Sequence, residues 1–330
     1  MKILVTGGSG FIGLNLVQKL LKLDHEVINI DNLTYASIKK ENKKLQLQKK
    51  YKFYKYSINN ANIIKKILKK HKPEKVFHLA AESHVDQSIT NPNKFLLTNI
   101  IGTYNLLSAS NDFYNSKLAN KNFKFIHVST DEVYGSSKHG ISFKENSPYL
   151  PNSPYSASKA SSDHLVRAWN KTYGLPTVIT NCSNNFGPYQ HSEKFIPTII
   201  HSLINNKKIP IYGKGKNKRD WIFVEDHVDA LIQIMNNSKS GSKYNISTEQ
   251  NYTNIDICKK IYEIYNKELD IKNPLEFIKK VKYVKDRLGH DYEYKVNSFK
   301  IKKELKWKPQ TSLRTGLIKT VKWYIKNFYK

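Results

Sequence analysis

A chain of 330 residues, 39% hydrophobic and 12% aromatic, has material for one large domain or two modest ones around a proper core. No apolar run approaches the roughly 18 residues of a membrane span, the N-terminus carries no cleavage-site pattern, and Cys182 and Cys258 make neither a disulfide framework nor a metal-ligand spacing. The formal charge of +28 raises a polyanion surface, but the excess is mostly Lys spread along the chain with no nucleic-acid module, so the expectation is a reduced, cytoplasmic protein with no membrane or nucleic-acid partner.

Lys2–Thr6 reads as a buried strand that runs into Gly7-Gly8-Ser9-Gly10-Phe11-Ile12-Gly13, after which residues 11–23 have helical apolar spacing. Glycines in such a turn let the backbone bend tightly and approach a pyrophosphate. The helix behind them offers free N–H groups and the positive end of its dipole to that anion. Glu26–Ile30 is a second strand, closed by Asp31. That position is near the roughly 20-residue offset at which a carboxylate meets an adenosine ribose. An acid there accepts from a 2′-hydroxyl and repels a 2′-phosphate, so Gly7, Gly10, Gly13 and Asp31 predict NAD as cofactor.

Residues 52–56, 75–79, 123–129 and 176–181 read as further strands, with helical spacing at 63–71 and 155–173. Strands alternating with helices predict a parallel sheet joined by right-handed crossovers. Beyond Asn181, Gly187-Pro188, Pro197, Pro210, Gly213 and Gly215 break the rhythm, and helices return at 224–236, 254–266 and Leu313–Phe328. The predicted fold class is α/β, a Rossmann-type doubly wound parallel sheet with a smaller α+β C-terminal substrate domain. Residues 1–183 with about 221–247 form the cofactor domain in this reading, and about 184–220 with 248–330 the other.

Tyr155 and Lys159 stand one helical turn apart on the same face. A Lys ammonium and a cationic nicotinamide both favour phenolate, which would fit Tyr155 to take a hydroxyl proton near neutrality. Thr130-Asp131-Glu132 follows the strand at 123–129, at the edge where doubly wound sheets bind ligands. Two carboxyls there, with pKa values pushed apart, can serve as one acid and one base.

Together Gly7 to Gly13, Thr130-Asp131-Glu132 and Tyr155-x-x-x-Lys159 resemble the extended short-chain dehydrogenase/reductase superfamily. Within it the chain is similar to the dTDP-glucose 4,6-dehydratases. The likeness extends through Leu79-Ala80-Ala81-Glu82-Ser83-His84-Val85-Asp86, Asn181 to Gln190, Glu193 to Pro197, Arg219-Asp220-Trp221 and Asp286-Arg287-Leu288-Gly289-His290-Asp291. The resemblance implies NAD-dependent oxidation at C4, loss of water across C5 and C6, and reduction at C6, feeding deoxysugar biosynthesis such as that of rhamnose. Tyr155, Lys159, Asp131, Glu132 and Thr130 would be the catalytic set.

By the same resemblance, Phe11, Ile12, Asp31, Asn32, Leu33, Thr34, Ser57, Ile58, Leu79, Ala80, Ala81, Ser83, Thr98 and Asn184 would line the NAD site. Ser83, His84, Asn185, Lys194, Phe195, Pro210, Tyr212, Arg219, Asn254, Arg287 and His290 would hold the nucleotide sugar. A homodimer through helices near 93–111 and 155–173 is implied too. No His, Cys or carboxylate cluster has metal-ligand spacing, so no metal is expected. Ser57 stands where an Asp commonly contacts the adenine amine, and Gln87, Phe186 and Leu288 replace a usual Arg, Tyr and Pro. A 4-epimerase would use the tyrosine, the lysine and NAD without needing the two acids. A dehydratase of a CDP-, GDP- or UDP-sugar would look alike, since no local rule reads the base.

Overall fold

Burial explains why the apolar runs become strands: in β1 (Lys2–Thr6) the last four residues are fully enclosed, as a strand with helices on both faces requires. The computed structural model describes residues 1–116, 118–137 and 140–329. In chain order its strands continue as β2 (Glu26–Ile30), β3 (Tyr51–Tyr54), β4 (Lys75–His78), β5 (Lys124–Thr130), β6 (Thr177–Cys182), β7 (Asn184–Phe186), β8 (Ile209–Tyr212), β9 (Lys218–Phe223), β10 (Lys243–Ile246), β11 (Asn251–Thr253) and β12 (Val281–Val284). Seven form one parallel sheet in the order β10-β6-β5-β4-β1-β2-β3. The chain builds outward from β1 through β2 and β3, then crosses to β4, β5 and β6. This reversal opens a crevice at the carboxyl ends of β1 and β4, where such sheets bind ligands. The fold is the expected Rossmann-type α/β arrangement.

Alternation along β1 divides the core in two. Ile3 and Val5 pack into one cluster with Leu14, Val17 and Met235, while Leu4 faces the opposite way against Ile28, Ile64 and Leu106. A further core lies among the helices Phe195–Ile204, Asn254–Glu268 and Leu313–Phe328. Beside it stand a three-stranded sheet, β11-β9-β7, and the parallel pair β12-β8.

Some strands begin and end away from their expected limits. The strand expected at 52–56 is β3, which ends at Tyr54 because its partner β2 ends at Ile30, the residue paired with Tyr54. It starts one residue early because Tyr51 is paired with Val27 and its hydroxyl binds Asn29 and Asn42. Leu79 leaves β4 to border the crevice, and the strands expected at 123–129 and 176–181 each lie one residue further on, ending at Thr130 and Cys182. No helix among the described residues is long and apolar enough to cross a membrane.

Candidate active site

The Gly-rich turn works through close backbone approach. A Cβ on Gly13 would lie 2.1 Å from the Gly7 carbonyl oxygen, and one on Gly7, where φ is +74°, would lie 2.7 Å from the Ala80 nitrogen. The helix Phe11–Lys22 starts at Gly10 with no side chain capping it, so its first-turn N–H groups remain available to an anion. Asp31 is 8% exposed and accepts from the Ser9 and Leu33 amides at 2.9 and 2.8 Å. Burial raises its pKa, and those two amides counter it. These groups suit a dinucleotide, with phosphates over the glycines and a ribose at the acid.

One cleft gathers most of the expected positions. Gly7, Gly10, Phe11, Ile12, Gly13, Asp31, Asn32, Thr34, Ser57, Ile58, Leu79, Ala80, Ala81, Ser83 and Thr98 line it. So do Thr130, Asp131, Glu132, Tyr155, Lys159, Asn184, Asn185 and Lys194. Leu33 does not border it; in a left-handed conformation (φ +52°) it turns the chain so that its amide reaches Asp31.

At the end of β5 the Thr130 hydroxyl accepts from the Glu132 amide at 3.2 Å, starting the short 3₁₀ turn Asp131–Tyr134 that carries both acids. Asp131 is 3% exposed, and its buried Oδ2 has no hydrogen-bond partner among the described residues. Burial, then Glu132 and Asp220, push its pKa well above the carboxylate range. Glu132 is half-buried; burial raises it as well, but the cations Arg219, Arg287 and Lys194 pull it back. The two acids therefore have different proton affinities, the condition for one to donate while the other accepts.

Tyr155 and Lys159 lie on the buried face of the helix Pro154–Tyr173. Lys159 Nζ donates to the Val128 carbonyl at 2.9 Å, and burial brings its pKa down to about 8. Contrary to the expected lowering of the phenol, the chain's own groups hold Tyr155 well above 10, through burial first and the Glu132 carboxylate second. The Thr130 hydroxyl pulls it back, and a cation alongside would lower it further.

His84, Phe195, Pro210, Tyr212, Arg219, Asn254, Arg287 and His290 do not line this cleft. Arg287 forks onto Asp86, with Nε donating to Oδ1 at 2.6 Å and a terminal nitrogen to Oδ2 at 3.1 Å. Arg219 is buried, donates to the carbonyls of Lys218, Asp291 and Tyr292, and stacks 4.1 Å over the Tyr294 ring. Its guanidinium is thus largely occupied by backbone rather than poised as a free phosphate clamp. Lys194 Nζ donates to the Ser83 carbonyl, His84 Nε2 lies 3.6 Å from Glu193, and His290 Nδ1 is 2.6 Å from Asp286. Phe195 stacks on Trp221, Pro210 and Tyr212 project outward on β8, and Asn254 is buried at a helix start.

Several groups at the site carried no sequence signal of their own. Tyr294 bonds Asp291 and lies 3.4 Å from Glu132. Glu193, which the resemblance marked only as the start of the run to Pro197, accepts from the Tyr35 hydroxyl at 2.9 Å. Buried Asn99 bonds Glu82 and Ser158. Asp163 could have been found, because it continues the Tyr155 and Lys159 spacing by one more turn. Among the described residues no cluster of three or more His, Cys, Asp or Glu could hold a metal ion.

A family model described as GDP-mannose 4,6 dehydratase matches residues 4–320. A dTDP-glucose 4,6-dehydratase of Shigella flexneri is 46% identical over 343 residues, 99% of this chain and 93% of its own. One from Haemophilus influenzae is 46% identical over 333 residues, 99% of this chain and 98% of its own. The crystal structure of DesIV, a dTDP-glucose 4,6-dehydratase from Streptomyces venezuelae with NAD bound, matches with a TM-score of 0.90. It is 38% identical and covers 99% of this chain and 98% of its own.

Proposed function

The chain belongs to the family of nucleotide-sugar 4,6-dehydratases, and from that premise we propose that it converts dTDP-glucose to dTDP-4-dehydro-6-deoxy-glucose. The observation that carries this reading is that two adjoining acids with unlike environments share one cleft with Tyr155 and Lys159. A 4-epimerase would need only the tyrosine, the lysine and the redox cofactor. NAD, which the Gly7–Gly13 turn and Asp31 would hold, supplies the acceptor for the C4 hydride and the donor that returns it to C6.

Around that chemistry the side chains move protons. Tyr155 takes the C4 hydroxyl proton, with Lys159 favouring the phenolate and Thr130 holding the sugar oxygen. The resulting ketone acidifies the C5 hydrogen. Glu132, held ionisable by its cationic neighbours, removes that proton. Asp131, kept protonated by burial, delivers its own to the departing C6 hydroxyl, so water leaves. Glu132 returns a proton to C5 when the hydride arrives at C6. The site keeps water from the intermediate by enclosing these groups. Arg287, His290, Asn254 and Arg219, with Lys194 and Asn185, would shape the nucleotide subsite, in the C-terminal unit of residues about 184–220 and 248–330. Two copies would pack through the helices beside the site, the run 96–115 and Pro154–Tyr173.

The purified protein given dTDP-glucose should release a 4-keto sugar nucleotide lighter by one water; recovery of dTDP-galactose alone would overturn the assignment. Parallel rates with CDP-, GDP- and UDP-glucose test the choice of base. Glu132→Gln should lower water loss roughly 10²–10⁴-fold, while the reduced cofactor still accumulates, followed by its ultraviolet absorbance. Product formation at the wild-type rate would remove Glu132 from the role of C5 base.

A further inference from the structure

The helix Pro154–Tyr173 departs from ordinary amphipathic design on its buried side. Tyr155, Lys159 and Asp163 occupy successive turns of one face, and Lys159 and Asp163 are 4% and 2% exposed. An ammonium so enclosed needs a countercharge, because burying an ion without a partner is strongly unfavourable.

We propose that Asp163 is that countercharge, a positioning residue that keeps the Lys159 ammonium in place beneath Tyr155 during proton transfer at C4. The inference rests on the reading of Tyr155 as the base. Asp163 is held for this task by fixed donors. The Tyr149 hydroxyl donates to its Oδ2 at 2.7 Å, and Asn181 Nδ2 donates to the same oxygen at 2.9 Å while also reaching the Thr130 carbonyl at 3.1 Å. Its Oδ1 lies 3.2 Å from His127 Nε2.

Among the described residues the remaining neighbours do not supply a competing charge at the same depth. Burial lowers His127 to about 4 and His78, whose ring lies 5.1 Å from it, well below its usual value, so both are neutral near pH 7. Cys182 on β6 is pushed up to about 12 and stays a thiol. Tyr149 and Tyr134 are raised and stay phenols. Lys243 of β10 approaches from outside, half-buried, with its Nζ 3.3 Å from the Tyr149 hydroxyl. Glu132 and Asp131 face Tyr155 from the other side and oppose the phenolate. Burial alone would raise Asp163; the His127 contact, Lys159 and Asn181 hold it below the usual carboxylate value, so it is anionic at working pH. Asp163 in turn is the leading group that raises Lys159 against its burial.

Asp163→Asn keeps the shape and removes the charge. The ascending limb of the kcat–pH profile, where Tyr155 loses its proton, should move to higher pH. The descending limb, where Lys159 loses its own, should move lower. A shift of one unit reads as about tenfold lower kcat on the ascending limb. Asp163→Glu should recover part of both shifts. Wild-type limbs with only a lower melting midpoint would reduce Asp163 to a packing role and overturn the proposal. If Asp163→Asn does not fold, Lys159→Met combined with it removes both charges and should restore the folded circular-dichroism spectrum; a double variant that stays unfolded overturns it. That folding comparison needs no turnover, so it stands apart from the test of whether wild-type protein dehydrates the sugar.

Discussion

Asp131 and Glu132 are adjacent in sequence, yet their surroundings diverge within one turn of chain. Asp131 points inward, where Asp220 adds repulsion to burial; Glu132 points toward three cations. Since the base must be ionised and the acid protonated, the dehydration step should rise as pH climbs through the Glu132 pKa and fall as it climbs through that of Asp131. Asp220, itself raised to about 6 by burial, accepts from Thr248 and from the Glu249 amide, so its amide analogue can keep at least the first contact. Asp220→Asn should lower the Asp131 pKa. The descending limb of the single-turnover elimination rate then moves to lower pH while the ascending limb stays. An unmoved descending limb would mean that burial alone sets Asp131. The acids and the glycines could be picked out because they follow directly on strand ends, and Tyr155 because Lys159 stands one helical turn beyond it. Asp220 and Tyr294 were not, since their effect depends on distances created by folding.

The helix Pro154–Tyr173 shows how local chemistry places the Tyr155 phenol. Ser153 caps it, accepting from the Ser156 amide at 3.1 Å while Ser156 Oγ receives the Ser153 amide, and Pro154 fits the first helical position. Tyr155 is therefore the second residue of the helix, and fraying there would swing the phenol. Ser153→Ala should cost about 1 kcal/mol, a melting shift of about 1–2 °C for a chain of this length, and should lower kcat more than it changes KM. A kcat loss absent in the face of the stability loss would show that the phenol is fixed by its packing against Phe95 instead. Long periodic elements such as Leu313–Phe328 were readable to the residue, because burial on one face repeats every turn. The substrate side was not: β7 and β11 have three residues each, too few for a period, and Arg287 meets Asp86 from 201 positions away.

The proposed dimer rests on what the two helices beside the site leave uncovered. Leu97, Ile101 and Tyr104 project from one face of the run 96–115, each close to half exposed. Tyr104 meets Trp169 edge-on at 5.8 Å, and Trp169 meets Tyr173 at 5.3 Å, so the apolar strip continues onto the neighbouring helix. A contiguous strip of that kind on a chain otherwise rich in charge favours burial against a partner, and an identical strip on a second copy satisfies a two-fold contact. The inward faces of the same helices carry Thr98, Tyr155 and Lys159. Losing the contact should therefore loosen the site as well as separate the subunits. Ile101→Glu places a charge in the middle of the strip and should turn a dimer into a 38.3 kDa monomer by sedimentation, with kcat reduced several-fold. If wild-type protein already sediments as a monomer at micromolar concentration, the strip has another use and the dimer proposal fails. If Ile101→Glu stays dimeric, the interface lies elsewhere on the surface.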